Sequence, residues 1–385
     1  MLSAETISLV KATLPVLANA GTAVTEHFYQ RMFAHNPELK DIFNLSHQKS
    51  GRQPAALFAA VATYAQHIET PEMLAAAVER IAQKHTSFLV RPEHYAIVGE
   101  HLLATLQELA PDTFDAATSA AWAQAYQFLA GIFIDREGTL YALHEREQGG
   151  WAGERAFRLA RKEPESEKVT SFYFEPLDGG PVMDFLPGQY IGIKVKPSQG
   201  DYQEIRQYSL SAAPNGKDYR ISVKREDQGL VSRYLHDELA PGAQVALIPP
   251  AGDFFLDTQS QWPVVLVSGG VGLTPMMSML ESLCAQQPGR PVQFLHACET
   301  AAQHSFKGRQ EELAENPWLT LHSWYNDQQG LMDLAPLRSQ LPLGDGHFYL
   351  CGPIPFMAAI KGQLLGLGVA EGRIHYEAFG PHADL

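Results

Sequence analysis

The residues with the clearest chemical signature lie on one predicted strand, in the segment QEIRQYSLSAAP. Arg206 and Tyr208 alternate, so they share one face of that strand, and Ser209 follows them. A guanidinium can pair with a pyrophosphate, and a phenol ring can lie against a flat ring system. The combination suits a flavin, with Arg206 at the pyrophosphate, Tyr208 against the isoalloxazine or its ribityl chain and Ser209 near the ring. Gln207, which lies between them, belongs to the predicted cofactor-binding set.

A helix start further along the chain offers a second contact to the same group. Gly229 is followed by Leu230, Val231 and Ser232, and these residues open a helical pattern that continues to Leu239. The first N–H groups of a helix have no partner within the helix and attract anions. We therefore expect the turn around Ser232 to receive the flavin diphosphate.

The segment LVSGGVGLTPMMSML places glycines directly after an apolar strand and before a helix. Such a loop lets the backbone approach a pyrophosphate, and the helix N-terminus adds positive potential. The predicted nucleotide-binding residues here are Gly270, Val271, Gly272, Leu273, Thr274 and Pro275. About 75 residues later FYLCGPIPFM ends another strand in Cys351, Gly352 and Pro353. A glycine-rich loop alone is a weak signal, but the two motifs in this order favour nucleotide binding over a free core thiol at Cys351.

A histidine in the first third of the chain has neighbours that suit a planar apolar cofactor. His85 lies in the helical pattern IAQKHTSFLV, beside Lys84. A single helical histidine is more often a surface or core residue than a ligand. Aromatic residues precede it in HFYQRMFAHNPELKDIF, and an earlier helix carries Gln53 and Leu57 on one face. One nitrogen ligand, aromatic walls and a few polar groups are what a haem requires. No metal-site spacing connects five other histidines, which we expect on the surface: His27, His35, His67, His94 and His101.

Three kinds of pattern must position these residues. Residues 1–147 show apolar positions every three or four residues, which predicts six or more amphipathic helices. Residues 151–258 contain short β-type runs separated by Pro, Gly, Asn and Asp, at the spacing of an antiparallel barrel. In residues 262–385 apolar strands alternate with helical segments, which indicates a parallel α/β sheet. The sequence therefore predicts a multidomain chain of all-α, β-barrel and α/β parts.

Composition narrows the choice of partner. The chain has 385 residues and a formal net charge of −14 at pH 7. An acidic protein disfavours nucleic acid and anionic membranes, and no stretch is long and apolar enough to predict a transmembrane helix. The three cysteines form no paired spacing, and the first residues lack the pattern of a signal peptide. We expect a cytoplasmic protein that acts as a monomer on small molecules.

With these motifs in place, the chain resembles flavohaemoglobins over its whole length. Residues 1–147 resemble their globin part, and R-x-Y-S, G-x-G-x-T-P and Cys-Gly-Pro resemble motifs of the ferredoxin–NADP reductase superfamily. The resemblance implies an all-α globin domain over 1–147, an antiparallel β-barrel FAD domain over 151–258 and a parallel α/β NAD(P)-binding domain over 262–385.

For the helical part, the resemblance implies that His85 is the proximal iron ligand. Tyr29 and Gln53 would be the distal polar pair, with Phe43 wedged against the porphyrin and Leu57 capping the ligand pocket. Tyr95 and Glu137 fall on the positions that support the proximal histidine, and Lys84 joins the catalytic set.

For the reductase part, the resemblance implies that Tyr190, after Gln189, lines the adenosine side of FAD, and that Cys351, Gly352 and Pro353 lie beside the nicotinamide. In the tail IHYEAFGPHADL, Glu377 would sit between flavin and haem, and Phe379, Gly380 and Pro381 would pack on the flavin. Ala378 stands where the family pattern leads us to expect Cys.

The activity implied is that of a nitric oxide dioxygenase with one haem b, one FAD and NAD(P)H as cosubstrate, which converts NO and O₂ to nitrate. Three alternatives stay open: an oxygen-storing or oxygen-sensing globin, a haem-free flavin reductase with a helical interaction domain, and a lipid or alkyl hydroperoxide reductase. The sequence does not separate NADH from NADPH.

Overall fold

The computed structural model describes the backbone of residues 2–43 and 52–380, and the side chains there except those of residues 18–22, 52–56 and 58. Contacts between Cα atoms divide the chain into two compact units, residues 1–146 with 201–205, and residues 147–200 with 206–385. No helix in the described part of the chain is long and apolar enough to cross a membrane.

The first unit is helical, as its period predicts. Its helices are α1 (Ala4–Ala12), α2 (Leu14–His35), α3 (Arg52–Gln66), α4 (Ala75–Thr86), α5 (Pro92–Leu109) and α6 (Ala116–Arg146). Ser3 caps α1 by accepting a hydrogen bond from the N–H of Thr6, and Pro92 opens α5, where its missing N–H has no consequence.

The first apolar pattern, over residues 6–20, is divided between two helices at Thr13. Pro15 has no N–H and cannot continue the hydrogen-bond ladder of α1. The Thr13 hydroxyl donates to the carbonyl oxygen of Val10 at 2.7 Å and accepts from Nε1 of Trp122 at 3.1 Å. The break between α1 and α2 is therefore fixed to α6 at a fully buried position.

The barrel contains the strands β1 (Arg155–Pro164), β2 (Val169–Pro176), β3 (Tyr190–Val195), β4 (Glu204–Ser209), β5 (Tyr219–Lys224) and β6 (Gln244–Ala251). Their order is β4-β3-β6-β1-β2-β5. The pairs β1–β2, β1–β6, β2–β5 and β3–β6 are antiparallel. A bridge between Leu210 and Ile221 joins the two edges and closes the sheet. Of the helical segment predicted from Leu230, only α7 (Leu230–Arg233) is α-helical, and a π-helical turn (Tyr234–Glu238) follows it.

A parallel sheet completes the second unit. Its strands are β7 (Val264–Gly269), β8 (Val292–Cys298), β9 (Leu319–Tyr325), β10 (His347–Cys351) and β11 (Ile374–Glu377). They lie in the order β11-β10-β7-β8-β9, and every neighbouring pair is parallel. The helices between them are α8 (Leu273–Gln286), α9 (Lys307–Leu313), α10 (Asn326–Gln329) and α11 (Ile354–Gly366).

Both faces of the parallel sheet are covered, which explains its unbroken apolar strands. Leu266 of β7 belongs to the core that contains Met276 of α8, whereas Val265 and Val267 belong to the core that contains Ile360 of α11. From β7 the chain proceeds to β8 on one side and later returns through β10 on the other. Such a reversal opens a crevice at the carboxyl ends of the two central strands, here β7 and β10. The all-α, β-barrel and parallel α/β classes predicted from the sequence are confirmed.

Candidate functional site

His85 lies in the last turn of α4 and is held from behind by two side chains. Its Nδ1 is 2.8 Å from Oε1 of Glu137 on α6 and 2.9 Å from the hydroxyl of Tyr95 on α5. Tyr95 in turn donates to Oε1 of Glu137 at 2.5 Å. A carboxylate only accepts hydrogen bonds, so the His85 proton lies on Nδ1. These contacts leave Nε2 as the ring nitrogen that can bind a metal.

Glu137 is 2% exposed, although it belongs to a long helix whose other face carries charged residues. Burial, followed by the nearby Glu137 charge, raises the pKa of Tyr95 far above its usual range, so the phenol keeps its proton and donates it. A buried carboxylate is stable only when it is paired and hydrogen-bonded, and here it has two donors. The structure therefore brings His85, Tyr95 and Glu137 together as one hydrogen-bonded group.

Sequence reasoning missed an aromatic neighbour of this group. The ring of Phe133 is centred 5.7 Å from the His85 ring and 6.2 Å from the Tyr95 ring. Phe133 precedes Glu137 by four residues on α6, and this i, i+4 spacing on one helix face could have identified it. Lys84 also lies in the last turn of α4, where the helix dipole favours a cation, but its predicted catalytic role stays a prediction.

The residues predicted for the other side of a haem form an aromatic cluster. Tyr29 is 6% exposed, and its ring centre lies 5.8 Å from that of Phe33 and 6.0 Å from that of Phe43. Leu57 packs against the same core. The side chain of Gln53 lies outside the described residues. Tyr29, Phe43 and Leu57 thus share one apolar environment, as the haem hypothesis requires.

One histidine expected on the surface is not there. His101 is 2% exposed, with Nδ1 facing the guanidinium of Arg31 at 2.5 Å and Nε2 facing Oδ1 of Asn36 at 2.9 Å. Burial and the Arg31 charge lower the pKa of His101. Arg31 lies on α2 and Asn36 directly follows that helix. The sequence around His101 does not reveal these distant partners.

In the second unit, β4 carries the predicted flavin residues. Arg206, Gln207 and Tyr208 are half-buried and Ser209 is buried. Burial raises the pKa of Tyr208, so its hydroxyl stays protonated. The carbonyl of Gln189 accepts from the N–H of Leu210, and this contact brings the start of β3 beside the end of β4.

Tyr190, at the start of β3, lies against a glycine that has no room for a side chain. Gly252 has φ +120°, and a Cβ there would lie 2.9 Å from Cε1 of Tyr190. The Gln189 amide donates to the carbonyl of Gly252 at 3.0 Å and accepts from the N–H of Leu186 at 2.9 Å. The position of Tyr190 is thus fixed by its own strand and by the turn after β6.

Ser232 is 8% exposed at the start of α7, and its hydroxyl is hydrogen-bonded within the loop that precedes this helix. Its Oγ accepts from the N–H of Glu226 at 3.2 Å. A Cβ on Gly229 would collide with this hydroxyl. Any contact of this turn with a diphosphate would therefore use backbone N–H groups rather than the Ser232 side chain as it is placed here.

The nucleotide loop and the Cys-Gly-Pro motif, about 80 residues apart in sequence, meet in the structure. Ser268 of β7 and Cys351 of β10 are register partners. A Cβ on Gly272 would collide with the carbonyl oxygen of Cys351 and lie 2.6 Å from the backbone nitrogen of Gly352. Gly270 has φ +53°, a conformation that favours glycine. The Thr274 hydroxyl donates to the carbonyl of Val271 at 3.0 Å and holds the loop where α8 begins.

Leu273, Thr274 and Pro275 are all buried, whereas Gly270 is exposed and Val271 half-buried. Pro353 caps α11, directly after Gly352. The six loop residues and the Cys-Gly-Pro motif thus converge on the crevice between β7 and β10, where parallel α/β sheets bind their ligands. This convergence fits a dinucleotide, because a pyrophosphate needs close approach to backbone.

The tail residues lie at the same edge of the sheet. Glu377 ends β11 and is the register partner of Cys351. Burial, and then the Glu377 charge, hold the pKa of the Cys351 thiol well above its usual range, so the thiol is neutral. Ala378 is buried, Phe379 is 43% exposed and Gly380 has φ +120°. Pro381 lies outside the described residues.

Three family models match the chain in the order of these sites. The globin model covers residues 26–133, the oxidoreductase FAD-binding domain covers residues 156–256, and the oxidoreductase NAD-binding domain covers residues 266–362. The chain is therefore an oxidoreductase with haem, FAD and a nicotinamide nucleotide as its cofactors.

The solved structures that are similar to this chain include a flavohemoglobin and a reductase domain. The crystal structure of a flavohemoglobin from Malassezia yamatoensis with bound FAD and heme has a TM-score of 0.89 and 28% identity, and the alignment covers 98% of this chain and 100% of that one. The FAD/NAD-binding domain of a nitric oxide dioxygenase from Vibrio cholerae has a TM-score of 0.56 and 51% identity, over 59% of this chain and 99% of that one.

Among curated relatives, a flavohemoprotein of Vibrio cholerae aligns over 397 residues, 100% of both chains. Globin, FAD-binding and NAD-binding parts follow in one chain in the same order as the three predicted domains. Since it is 54% identical to that relative over its full length, the chain belongs to the flavohemoprotein family.

Proposed function

We propose that this flavohemoprotein is a nitric oxide dioxygenase, in which electrons from NAD(P)H pass through FAD to haem. The observation that carries the proposal is the buried Glu137 carboxylate, which accepts hydrogen bonds from His85 and Tyr95 at 2.8 and 2.5 Å. An oxygen carrier needs only a histidine ligand, whereas a charged acceptor behind that ligand favours oxygen activation. The similar Vibrio cholerae domain, which comes from a nitric oxide dioxygenase, supports the same activity.

The described residues fit the cofactors. Once bound, FAD would take a hydride from the nicotinamide nucleotide and pass its two electrons one at a time to haem, whose iron would supply the chemistry that converts NO, O₂ and one electron to nitrate. His85 would hold the iron through Nε2, and the aromatic rings of Tyr29 and Phe43 would face the porphyrin. Glu137 and Tyr95 fix the His85 ring and make it a stronger donor, because its Nδ1–H bonds to a negative charge.

On the open face, Tyr29 supplies a hydroxyl within an otherwise apolar cluster. A phenol there can donate a hydrogen bond to a charged oxygen ligand, while apolar walls admit a small neutral radical such as NO. Gln53 would be the second polar group.

In the reductase part, Arg206, Tyr208, Ser209 and Tyr190 would hold FAD, with backbone N–H groups near Ser232 at its diphosphate. Residues 270–275 would hold the nucleotide pyrophosphate. Cys351 and Glu377, which are neighbours at the ends of β10 and β11, would border the nicotinamide and the flavin. Because its raised pKa keeps the Cys351 thiol protonated, Cys351 would border the nicotinamide as a neutral group.

The fused reductase disfavours a storage or sensing role, because neither needs a supply of electrons. A hydroperoxide reductase uses the same cofactors and is the second candidate. We further propose a monomer that acts on NO and O₂ in a reducing compartment, in keeping with the three free cysteines.

The decisive experiment measures NO consumption by the purified holoprotein with an NO electrode, with NADH and NADPH in turn. We expect consumption that requires both oxygen and nucleotide and yields nitrate in equal amount. Equal NO consumption after oxygen removal would contradict the dioxygenase. Rapid turnover of an alkyl hydroperoxide without NO turnover would select the second candidate.

A further inference from the structure

A largely buried carboxylate on α8 joins the nucleotide-binding sheet to the flavin barrel within the second compact unit. The Glu281 side chain is only 11% exposed. Its Oε1 lies 3.3 Å from Nη2 of Arg220 in β5 and 3.3 Å from Nε of Arg309 in α9, and its Oε2 accepts from the N–H of Ala213 at 3.2 Å. One turn earlier, the Ser278 hydroxyl donates to the carbonyl of Ala212 at 2.7 Å.

The contacts of Glu281 and Ser278 with the barrel are made to the segment that follows the flavin motif. Ala212 and Ala213 come three and four residues after Ser209. Arg220 is 9% exposed; its Nε donates to Oγ of Ser211 at 3.1 Å and its Nη2 donates to the carbonyl of Ser211. The Ser211 N–H donates in turn to the Arg220 carbonyl at 2.9 Å. Arg220 is therefore part of the flavin barrel and presents its charge to α8.

At its other end, α8 begins at the nucleotide loop. Leu273, its first residue, directly follows Gly272, and Glu281 comes eight positions later, a rise of about 12 Å along the helix. A helix packed on a sheet moves as a rigid body, and α8 is buried along most of its length. A displacement at Ser278 and Glu281 would therefore be transmitted to residues 270–272.

Both arginines that face Glu281 also have other partners. Arg309 is 47% exposed and also pairs with Glu312 at 3.0 Å, so its charge is largely solvated. Arg220 keeps its bonds to Ser211 when Glu281 is lost, and its guanidinium lies 4.9 Å from the ring centre of Phe306. Glu281, together with Ser278, thus connects α8 to the barrel segment that follows the flavin motif.

We propose that Glu281 is a positioning residue for hydride transfer: by binding Arg220 and the backbone at Ala213, it fixes the nucleotide loop at a set distance from the flavin strand. Hydride transfer requires the two reacting rings in near-contact, and a displacement of about 1 Å can cost about a hundredfold in rate. The proposal depends on the reductase part and not on the substrate that the haem oxidises.

The test compares Glu281→Gln and Glu281→Ala with Glu312→Gln, a matched control that removes an exposed carboxylate which also binds Arg309. Flavin reduction by NADH and by NADPH is followed anaerobically by stopped flow in the full-length holoprotein, with the haem held ferrous as its carbon monoxide complex. FAD content, flavin midpoint potential and the charge-transfer absorbance of the nucleotide–flavin complex are measured for each variant.

We expect the limiting rate of flavin reduction to fall about tenfold in Glu281→Gln and further in Glu281→Ala, because the rings lose their alignment. The nucleotide Kd, the FAD content and the flavin potential should stay near those of the unsubstituted protein, while the charge-transfer absorbance weakens. Glu312→Gln should behave like the unsubstituted protein.

A normal limiting rate in Glu281→Gln with full FAD content would overturn the proposal, and so would a loss confined to nucleotide Kd or explained by lost FAD. Ser278→Ala, which removes the second contact to the same segment and no charge, gives an independent measurement if Glu281→Ala does not fold. We expect a smaller fall of the same kind, and an unchanged rate in both Ser278→Ala and Glu281→Gln would refute positioning by α8. Since no NO is present, the outcome is separate from that of the dioxygenase assay.

Discussion

Replacing Glu137 by Gln should raise the ferric/ferrous midpoint potential of the haem. The Glu137 carboxylate is 2% exposed and accepts from Nδ1 of His85 at 2.8 Å and from the Tyr95 hydroxyl at 2.5 Å. A negative charge behind the ligand stabilises the more positive ferric iron, so its removal favours the ferrous state. The amide removes the charge but keeps the size of the side chain and one oxygen that can accept both hydrogen bonds.

The magnitude comes from the usual effect of such partners on metal sites. Loss of a side chain that hydrogen-bonds a metal ligand typically changes metal affinity about 10- to 100-fold. Where that loss falls on the ferric form, each factor of ten raises the one-electron potential by about 59 mV. We therefore expect a rise of about 60 to 120 mV. Since a charge-assisted hydrogen bond is worth roughly 1 kcal/mol more than a neutral one, the two bonds together should cost about 2 kcal/mol of unfolding free energy.

Spectroelectrochemical titration of the holoprotein measures the potential directly. The control is Glu145→Gln, which removes the same charge from an exposed position on the same helix and should leave the potential unchanged. An unchanged or lowered potential in Glu137→Gln, with haem bound and His85 ligation intact, would refute the reasoning.

Three further predictions concern other parts of the chain. Tyr29→Phe removes a buried hydroxyl and should speed oxygen dissociation from the haem about tenfold or more, as measured by flash photolysis, and an unchanged rate would remove its assigned role. Gly272→Ala places a Cβ against the carbonyl of Cys351, so it should cost about 1 to 3 kcal/mol of unfolding free energy and abolish nucleotide-driven flavin reduction. The control is Gly344→Ala, because neither glycine has a left-handed φ and Gly344 has open space around it. Burial lowers the pKa of His296 to about 3, so the unfolded chain binds this proton at a higher pH than the folded protein does. The free energy of unfolding should therefore decline as the pH falls from 6.5 toward 3. At pH 4 the loss should be about 3 kcal/mol. His296→Asn should flatten that part of a pH series of urea unfolding curves, and an identical slope would show that other groups are responsible.

The reductase part could be predicted from sequence chemistry to a large extent. Glycines after a strand and before a helix, and a second motif ending another strand, already indicate one edge of a parallel sheet, because the carboxyl ends of parallel strands lie together. The sheet order could not be read from the sequence. That β10 rather than β9 lies beside β7, and so brings Cys351 against Gly272, depends on long-range packing that no local pattern encodes.

The haem site could be predicted less completely from the sequence. The helical period predicted α4, α5 and α6 but not which faces meet, so Tyr95 and Glu137 were identified only through resemblance to flavohaemoglobins. The structure supplies the physical reason for their pairing, a carboxylate that burial would make costly without two donors. The burial of His101 could not be predicted from the sequence for the same reason. It depends on Arg31 and Asn36, about 65 to 70 residues away.

The contacts that matter for turnover fall into two groups that can be perturbed separately. Glu137 acts on His85 through one direct hydrogen bond and through Tyr95 in the helical unit. Glu281 acts on the alignment of nucleotide and flavin in the other unit. A change at Glu137 should alter the iron potential and leave flavin reduction by NADH unaffected. A change at Glu281 should slow flavin reduction and leave the iron potential unaffected.

If both variants slowed NO consumption to the same extent, delivery of the electron and its use at the iron would each limit turnover. An effect of only one variant would identify the limiting half-reaction, because a modest slowing of the much faster step leaves the overall rate unchanged.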